Sequence, residues 1–240
     1  MQLYFIRHAQ SANNALWAAS GSENGRSHDP ELTPTGKEQA RFLAEYFKTA
    51  KDAHRNDGDG YPYQVPPGLT HIYCSLMLRS VATATVLAQA VGLPLHALEE
   101  IYEEGGIYNA DPETGRKIGL PGLGKLYFEE HYPHLVLPQT MNPEGWWSRD
   151  YELPEDRPRR ARKALENIKE LHGNTQDRVA LISHGGFYNH FLKSILKIQD
   201  PDRYWFTLNN TGITRIEFQD DWVGLIYSNR TDFLPEELVT

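Results

Sequence analysis

The chain has 240 residues, and its 24 Lys and Arg against 32 Asp and Glu give a formal net charge of −8. An acidic balance of this size argues against a general nucleic-acid or anionic-membrane binder, so no nucleic-acid or membrane partner is expected. The 40% hydrophobic share is enough for a real core, and the single cysteine, Cys74, excludes a disulfide framework or a cysteine-rich metal centre.

Only a few apolar residues precede Arg7, so no secretory signal is read, and no run approaches the roughly 18 apolar residues of a membrane span. The expectation is a cytoplasmic protein of one domain over residues 1–240, carrying an insertion at about 105–153. The elements follow in chain order. Leu3, Tyr4, Phe5 and Ile6 form a short apolar run broken by Arg7 and His8, the pattern of a strand buried on both faces. Residues 35–49 carry Ala40, Leu43, Ala44 and Phe47 at helical spacing, and 51–68 read as a polar surface loop. A second apolar run at 71–74 ends at Ser75. A helix at 79–91 follows and stops at Gly92 before Pro94. The segment 105–153, rich in Pro and Gly, reads as a cap with a short helix near 126–131. A helix at 158–171 precedes the third apolar run, 179–182, which ends in Ser183, His184, Gly185 and Gly186. A helix at 186–196 follows, and 213–218 and 222–227 read as an antiparallel hairpin. Alternating strands and helices predict a three-layer α/β/α fold with a mostly parallel central sheet and this hairpin at its edge.

Ligands of such sheets collect beyond the carboxyl ends of the strands. Three runs end there, delivering Arg7 and His8, then Ser75 and Arg79, then His184 and the glycine pair. Two guanidiniums and two imidazoles on one sheet edge ask for a dianion, because each guanidinium fork matches phosphate oxygens. Cations around a histidine disfavour its protonated form, which keeps the imidazole nucleophilic at neutral pH. Gly185 and Gly186 would let backbone amides approach the ligand.

The segment from Arg7 through Asn14 resembles the Arg-His-Gly motif of the histidine phosphatase superfamily, the phosphoglycerate mutase-like fold. Asp29 through Gly36 with Gln39 and Ala40, Ser75 through Ala84 with Arg79 and Thr83, and Ser183 through Gly186 are similar to its further motifs, in the same order. The resemblance implies that His8 becomes phosphorylated. It implies that Arg7, Arg79 and His184 grip the phosphoryl group, with Asn14 and Gly185 adding contacts. It also implies an acid/base carboxylate ahead of Gly105 and Gly106. Glu103 is favoured there, and Glu104 and Glu100 stay open. Ala9 departs from the pattern, which has Gly, and its methyl is expected to crowd the phosphate loop slightly.

The expected activity is metal-independent hydrolysis of a small organic phosphomonoester, with no cofactor. A mutase of the same fold and a non-catalytic phosphate-binding module are the alternatives. Residues 119–125 imitate a nucleotide-binding loop, but Leu126 stands where Mg²⁺ needs Ser or Thr, so a flexible turn is expected. The remaining histidines are scattered in polar contexts, and Pro133 separates His131 from His134, so no metal site is expected. Specificity is expected in a loop at 15–28, where Arg26 and His28 offer anion contacts, and in 105–153. Trp146, Trp147, Trp17 and Tyr151 are candidates for the pocket wall or for anchoring the cap. The oligomeric state is not legible.

Overall fold

The structure, a computed structural model, describes residues 1–52, 68–219 and 222–240. The loop expected at 51–68 therefore lies almost wholly outside the described residues. In chain order the elements are β1 (Gln2–Arg7), α1 (Ala12–Ser20), α2 (Pro34–Asp52), β2 (His71–Cys74), α3 (Leu78–Val91) and β3 (Leu95–Ala97). The insertion follows, with β4 (Tyr108–Ala110), β5 (Lys117–Gly119), α4 (Lys125–His131) and β6 (Leu135–Val136). The chain ends with α5 (Arg157–His172), β7 (Arg178–Ser183), α6 (Gly185–Ile195), β8 (Ile213–Gln219) and β9 (Trp222–Arg230).

Successive side chains of a strand point to opposite faces. In β1, Tyr4 and Ile6 enter one apolar layer with Leu43 and Phe47 of α2 and Val81, Ala84 and Leu87 of α3. Leu3 and Phe5 enter the other with Ala164 and Ile168 of α5 and Phe187 and Phe191 of α6. All four β1 residues are fully buried, which is why the run carries no polar alternation. The main sheet has the order β6-β3-β2-β7-β1-β8-β9. Its first five strands run parallel, and β8 and β9 pair antiparallel at the edge. This is the expected three-layer α/β architecture with its terminal hairpin.

Three expectations are corrected. First, the insertion is not only a cap: β6 extends the main sheet beside β3, and Ile107, Phe128, Met141, Trp146 and Trp147 join the core. Its apolar residues are spaced by turns rather than by a helical or strand period, so the sequence hid their burial. Second, part of the segment read as a loop at 15–28 is helical. α1 has no buried residue and therefore no apolar stripe to reveal it. Local caps hold it instead, with Ser11 and Asn14 bonded reciprocally and Gly21 in the left-handed conformation at its end. Third, His71 and His172 are not scattered. At the end of the sheet away from the runs' carboxyl termini, His172 Nδ1 lies 2.8 Å from Asp177 and its Nε2 lies 3.0 Å from the Tyr73 hydroxyl. The His71 ring lies tilted against that of His172, with the ring centres 4.6 Å apart. Both nitrogens of the buried His172 are thus hydrogen-bonded. No helix among the described residues is long and apolar enough to cross a membrane.

Candidate active site

The neighbouring strands β3, β2, β7 and β1 end together, and the polar residues that stop their apolar runs meet there. The backbone locks these ends: His8 N–H donates to the Ser183 carbonyl at 2.9 Å and Ser75 N–H to that of Ile182 at 3.2 Å. His8, Arg79 and His184 are buried. The His8 and His184 rings lie 5.0 Å apart. Arg7, His8, Arg79 and Glu103 line one cavity of about 590 Å³.

His8 is held in one tautomer. Its Nδ1 lies 2.7 Å from the Ala9 carbonyl, which can only accept, so Nδ1 carries the proton. Its Nε2 accepts from Arg79 Nε at 3.1 Å and keeps the lone pair. Burial first, then Arg79 and Arg7, hold the His8 pKa well below the ordinary histidine value. His184 is lowered in the same way by burial, then by Arg79 and His8. Its Nε2 lies 2.7 Å from Ser75 Oγ. Its Nδ1 is buried with no partner among the described residues, and so is Arg7 Nε. Arg7 anchors instead through NH1, which donates to the Leu208 carbonyl at 2.7 Å. Buried donors left unmatched cost about 1–3 kcal/mol each, a cost that an anionic ligand would offset.

The three open glutamates separate by their partners. Glu100 is ion-paired to Lys163 at 3.0 Å and does not line the cavity. Glu104 is bound by Arg157 and by His190, each at 2.8 Å. Burial alone would raise its pKa, but the His190 hydrogen bond and Arg157 outweigh it and hold the carboxyl below its usual value. Glu103 makes no ion pair among the described residues. Its carboxylate accepts backbone N–H bonds from Glu104 at 2.9 Å, Gly186 at 3.1 Å and Phe187 at 3.0 Å. It sits at the N-terminus of α6, facing the cavity, and its charge reaches both Arg7 and Arg79.

Residues 3–55 and 120–230 match the histidine phosphatase superfamily (branch 1). The chain belongs to that superfamily. "Putative phosphoserine phosphatase 2" of Hydrogenobacter thermophilus is 26% identical over 232 residues, covering 95% of each chain. "Probable phosphoglycerate mutase GpmB" of Yersinia enterocolitica is 25% identical over 228 residues, covering 93% of this chain and 88% of that one. The phosphoserine phosphatase of Entamoeba histolytica, solved in complex with 3-phosphoglyceric acid, has the same fold. It matches with a TM-score of 0.59 at 20% identity, over 98% of this chain and 99% of that one.

In this member of the superfamily the remaining sequence candidates divide. Asn14 lines the cavity, but its Oδ1 is committed to the Ser11 cap and to Asn210 at 3.3 Å. A Cβ at Gly185 would meet the Arg7 side chain at an ordinary contact distance of 3.6 Å. Gly186 differs from expectation. Its amide and that of Phe187 are taken by Glu103, and a Cβ at Gly186 would lie 2.5 Å from Glu103 Oε1, so this glycine makes room for the carboxylate. Ala9 is fully buried, its N–H donates to Thr83 Oγ1 at 3.0 Å, and it is not among the residues with positive φ. The methyl is therefore accommodated without a glycine-only backbone. Arg26 lines the cavity, whereas His28 is exposed and does not. Trp17 and Tyr151 line it too, while Trp146 and Trp147 are core residues. Residues 119–125 are not a flexible turn, because Trp146 N–H and Trp147 N–H donate to the carbonyls of Leu123 and Pro121 and pin them.

The sequence left several supports without a role. Asn210 Nδ2 donates to the His8 carbonyl at 2.9 Å, and Gln39 accepts from Gln10 N–H at 2.7 Å. Asp29 accepts from Leu78 N–H at 3.0 Å, 3.8 Å from Arg79. The segment bearing Glu103 is braced from behind by Arg160. This guanidinium donates to the Glu100 and Tyr102 carbonyls at 2.9 Å and pairs in two-pronged fashion with buried Glu152 at 2.5 and 2.8 Å. Glu152→Ala strands that buried charge and is expected to lower the unfolding free energy by about 3–5 kcal/mol, measured in urea.

Acid sensitivity follows from the same groups. His8 and His184 stay neutral in the folded chain, while unfolded histidines gain protons below about pH 6.5. Burial pushes Asp29 the other way, up to about 7, so the folded chain holds a proton there that the unfolded chain releases above about pH 4. From about pH 6 down to 5 unfolding therefore takes up two protons and releases one. Stability is expected to fall by about 1.4 kcal/mol per pH unit from these three groups. Asp29→Asn removes the opposing proton, and denaturant titrations at pH 5 and 6 should show the slope steepen to about 2.7 kcal/mol per unit.

Proposed function

We propose that this histidine phosphatase hydrolyses a small organic phosphomonoester through a phosphohistidine on His8. The observation that carries the reading is the buried Nε2 lone pair of His8, fixed by the Ala9 carbonyl and met by Arg79. That lone pair attacks phosphorus, the ester P–O bond breaks, and protonated Glu103 gives its proton to the leaving oxygen. Glu103, now a carboxylate, takes a proton from water as the water attacks the phosphohistidine. The N–P bond breaks and inorganic phosphate is released. Arg7 and Arg79 supply fixed positive charge and N–H donors to the phosphoryl oxygens, and the neutral His184 sits beside them, so no metal is required.

Hydrolysis is favoured over phosphoryl return to a second hydroxyl because a mutase must keep its intermediate from water. Two tryptophans that line the cavity, Trp17 and Trp205, stand largely exposed, which leaves its mouth open to solvent. The test is p-nitrophenyl phosphate turnover in excess EDTA, with an alkaline denaturing quench to preserve the phosphorylated protein. Turnover with an acid-labile protein phosphate is the expected result. Activity abolished by EDTA overturns the mechanism. Interconversion of 2- and 3-phosphoglycerate without phosphate release establishes the mutase instead.

A further inference from the structure

The cavity extends well past the phosphoryl cage, and about 590 Å³ is the size that encloses a ligand much larger than a three-carbon acid. Its outer part is aromatic. Trp17 is 57% and Trp205 67% exposed, and these two most exposed of the five tryptophans both line this one cavity. Neither is part of the core. Trp17 rides on α1, which buries nothing, and the Lys193 ammonium lies 6.0 Å from the Trp205 ring. Neither indole packs against another ring among the described residues. Trp17 follows the Ser11 cap by six residues, about 9 Å along the helix at 1.5 Å per residue.

Between the cage and the indoles the wall changes character. Arg26 lies 4.1 Å above the Tyr108 ring, and the Lys117 ammonium bonds the Tyr151 hydroxyl at 3.1 Å. Neither cation has an ion-pair partner among the described residues. They offer N–H donors to oxygen atoms in the middle of a ligand.

The geometry points to a phosphomonoester of a hydroxylated alcohol that ends in a flat aromatic ring, nucleotide-like in outline, with the ring stacked at Trp17 and Trp205. Every base has a π-face, so such stacking selects ring-bearing over ring-less esters without naming one base. This rests on the phosphatase reading above, and it assigns Trp17 and Trp205 to substrate selection.

The experiment compares adenosine 5′-monophosphate with glycerol 3-phosphate, with p-nitrophenyl phosphate as a general probe. Wild type is expected to favour the nucleotide at least tenfold in kcat/KM. Trp17→Ala and Trp205→Ala are each expected to reduce that ratio about tenfold, chiefly through KM for the nucleotide, while Trp17→Phe retains most of it. Trp222→Ala, a change at an exposed tryptophan of β9 that does not line the cavity, leaves the ratio unaltered. A wild type that prefers glycerol 3-phosphate, or a ratio unmoved by both alanine variants, overturns the inference while p-nitrophenyl phosphate turnover keeps the phosphatase reading intact. If no ester is hydrolysed, that reading fails, and the inference is decided by tryptophan fluorescence. Quenching by the nucleotide that is lost in both alanine variants upholds it, and its absence overturns it.

Discussion

His8→Ala is expected to lower kcat for p-nitrophenyl phosphate about 10⁵-fold, the scale on which loss of a covalent nucleophile is felt. The effect is this large because His8 lines the cavity and His184, the other imidazole of the cage, does not. The His184 Nε2 is engaged with Ser75 Oγ. Arg7 and Arg79 cannot act as nucleophiles. The fold should survive, since the loop around His8 stays tied through its backbone to Ser183, Asn210 and Thr83 when the imidazole bonds are lost. Thermal unfolding of the variant is expected within a few degrees of wild type, and protein denatured in alkali during turnover should carry no phosphate. A variant that keeps more than a hundredth of the wild-type rate removes His8 from the reaction.

Glu103→Gln is expected to cost about 10³-fold with an alkyl phosphate, the typical contribution of a positioned acid/base. The signature lies in the leaving group. p-Nitrophenolate departs without a proton, so the first step with its ester should be nearly spared. Water attack still needs the base, and phosphorylated enzyme should accumulate. With its oxygen in the Oε1 position the amide keeps the backbone N–H bonds of Glu104 and Phe187 and loses that of Gly186, which limits the structural disturbance. Glu104→Gln is the comparison. It breaks the bonds to Arg157 and His190 and should cost stability without creating a dependence on the leaving group. If Glu104→Gln reproduces the leaving-group pattern and Glu103→Gln does not, the two roles are exchanged.

The parts of the fold that could be read from the chain are those whose burial is written locally. The runs in β1, β2 and β7 are apolar because both faces are covered, and each stops where the site begins, so Arg7, His8, Arg79 and His184 could be placed on one sheet edge. β4, β5 and β6 have only two or three residues each, too few for a period. α1 stayed hidden because it faces no core, although the Ser11 and Asn14 pair with Gly21 was a usable signal. Choosing among Glu100, Glu103 and Glu104 needed partners from other elements: Lys163 and Arg157 on α5, and the α6 amides and His190. Nothing near His8 in sequence announces Asn210, which reaches its carbonyl across 202 positions. Trp205 likewise lies in a stretch without helix or strand, and only the assembled cavity joins it to Trp17.

β1 lies between β7 and β8, so the strand that leads into His8 finds its partners only at residues 178–183 and 213–217. Pairings so distant along the chain demand costly loop closure and make folding slow. A nascent chain emerging from the ribosome must carry Leu3, Tyr4, Phe5 and Ile6 unpaired until most of the protein has been synthesised. Fragments that stop short of β8 keep that apolar strand as a sticky edge, open to aggregation and to capture by chaperones. The loop that carries His8 is also among the last parts to become ordered, so the cage of His8, Arg79 and His184 should assemble with completion of the sheet and not before it.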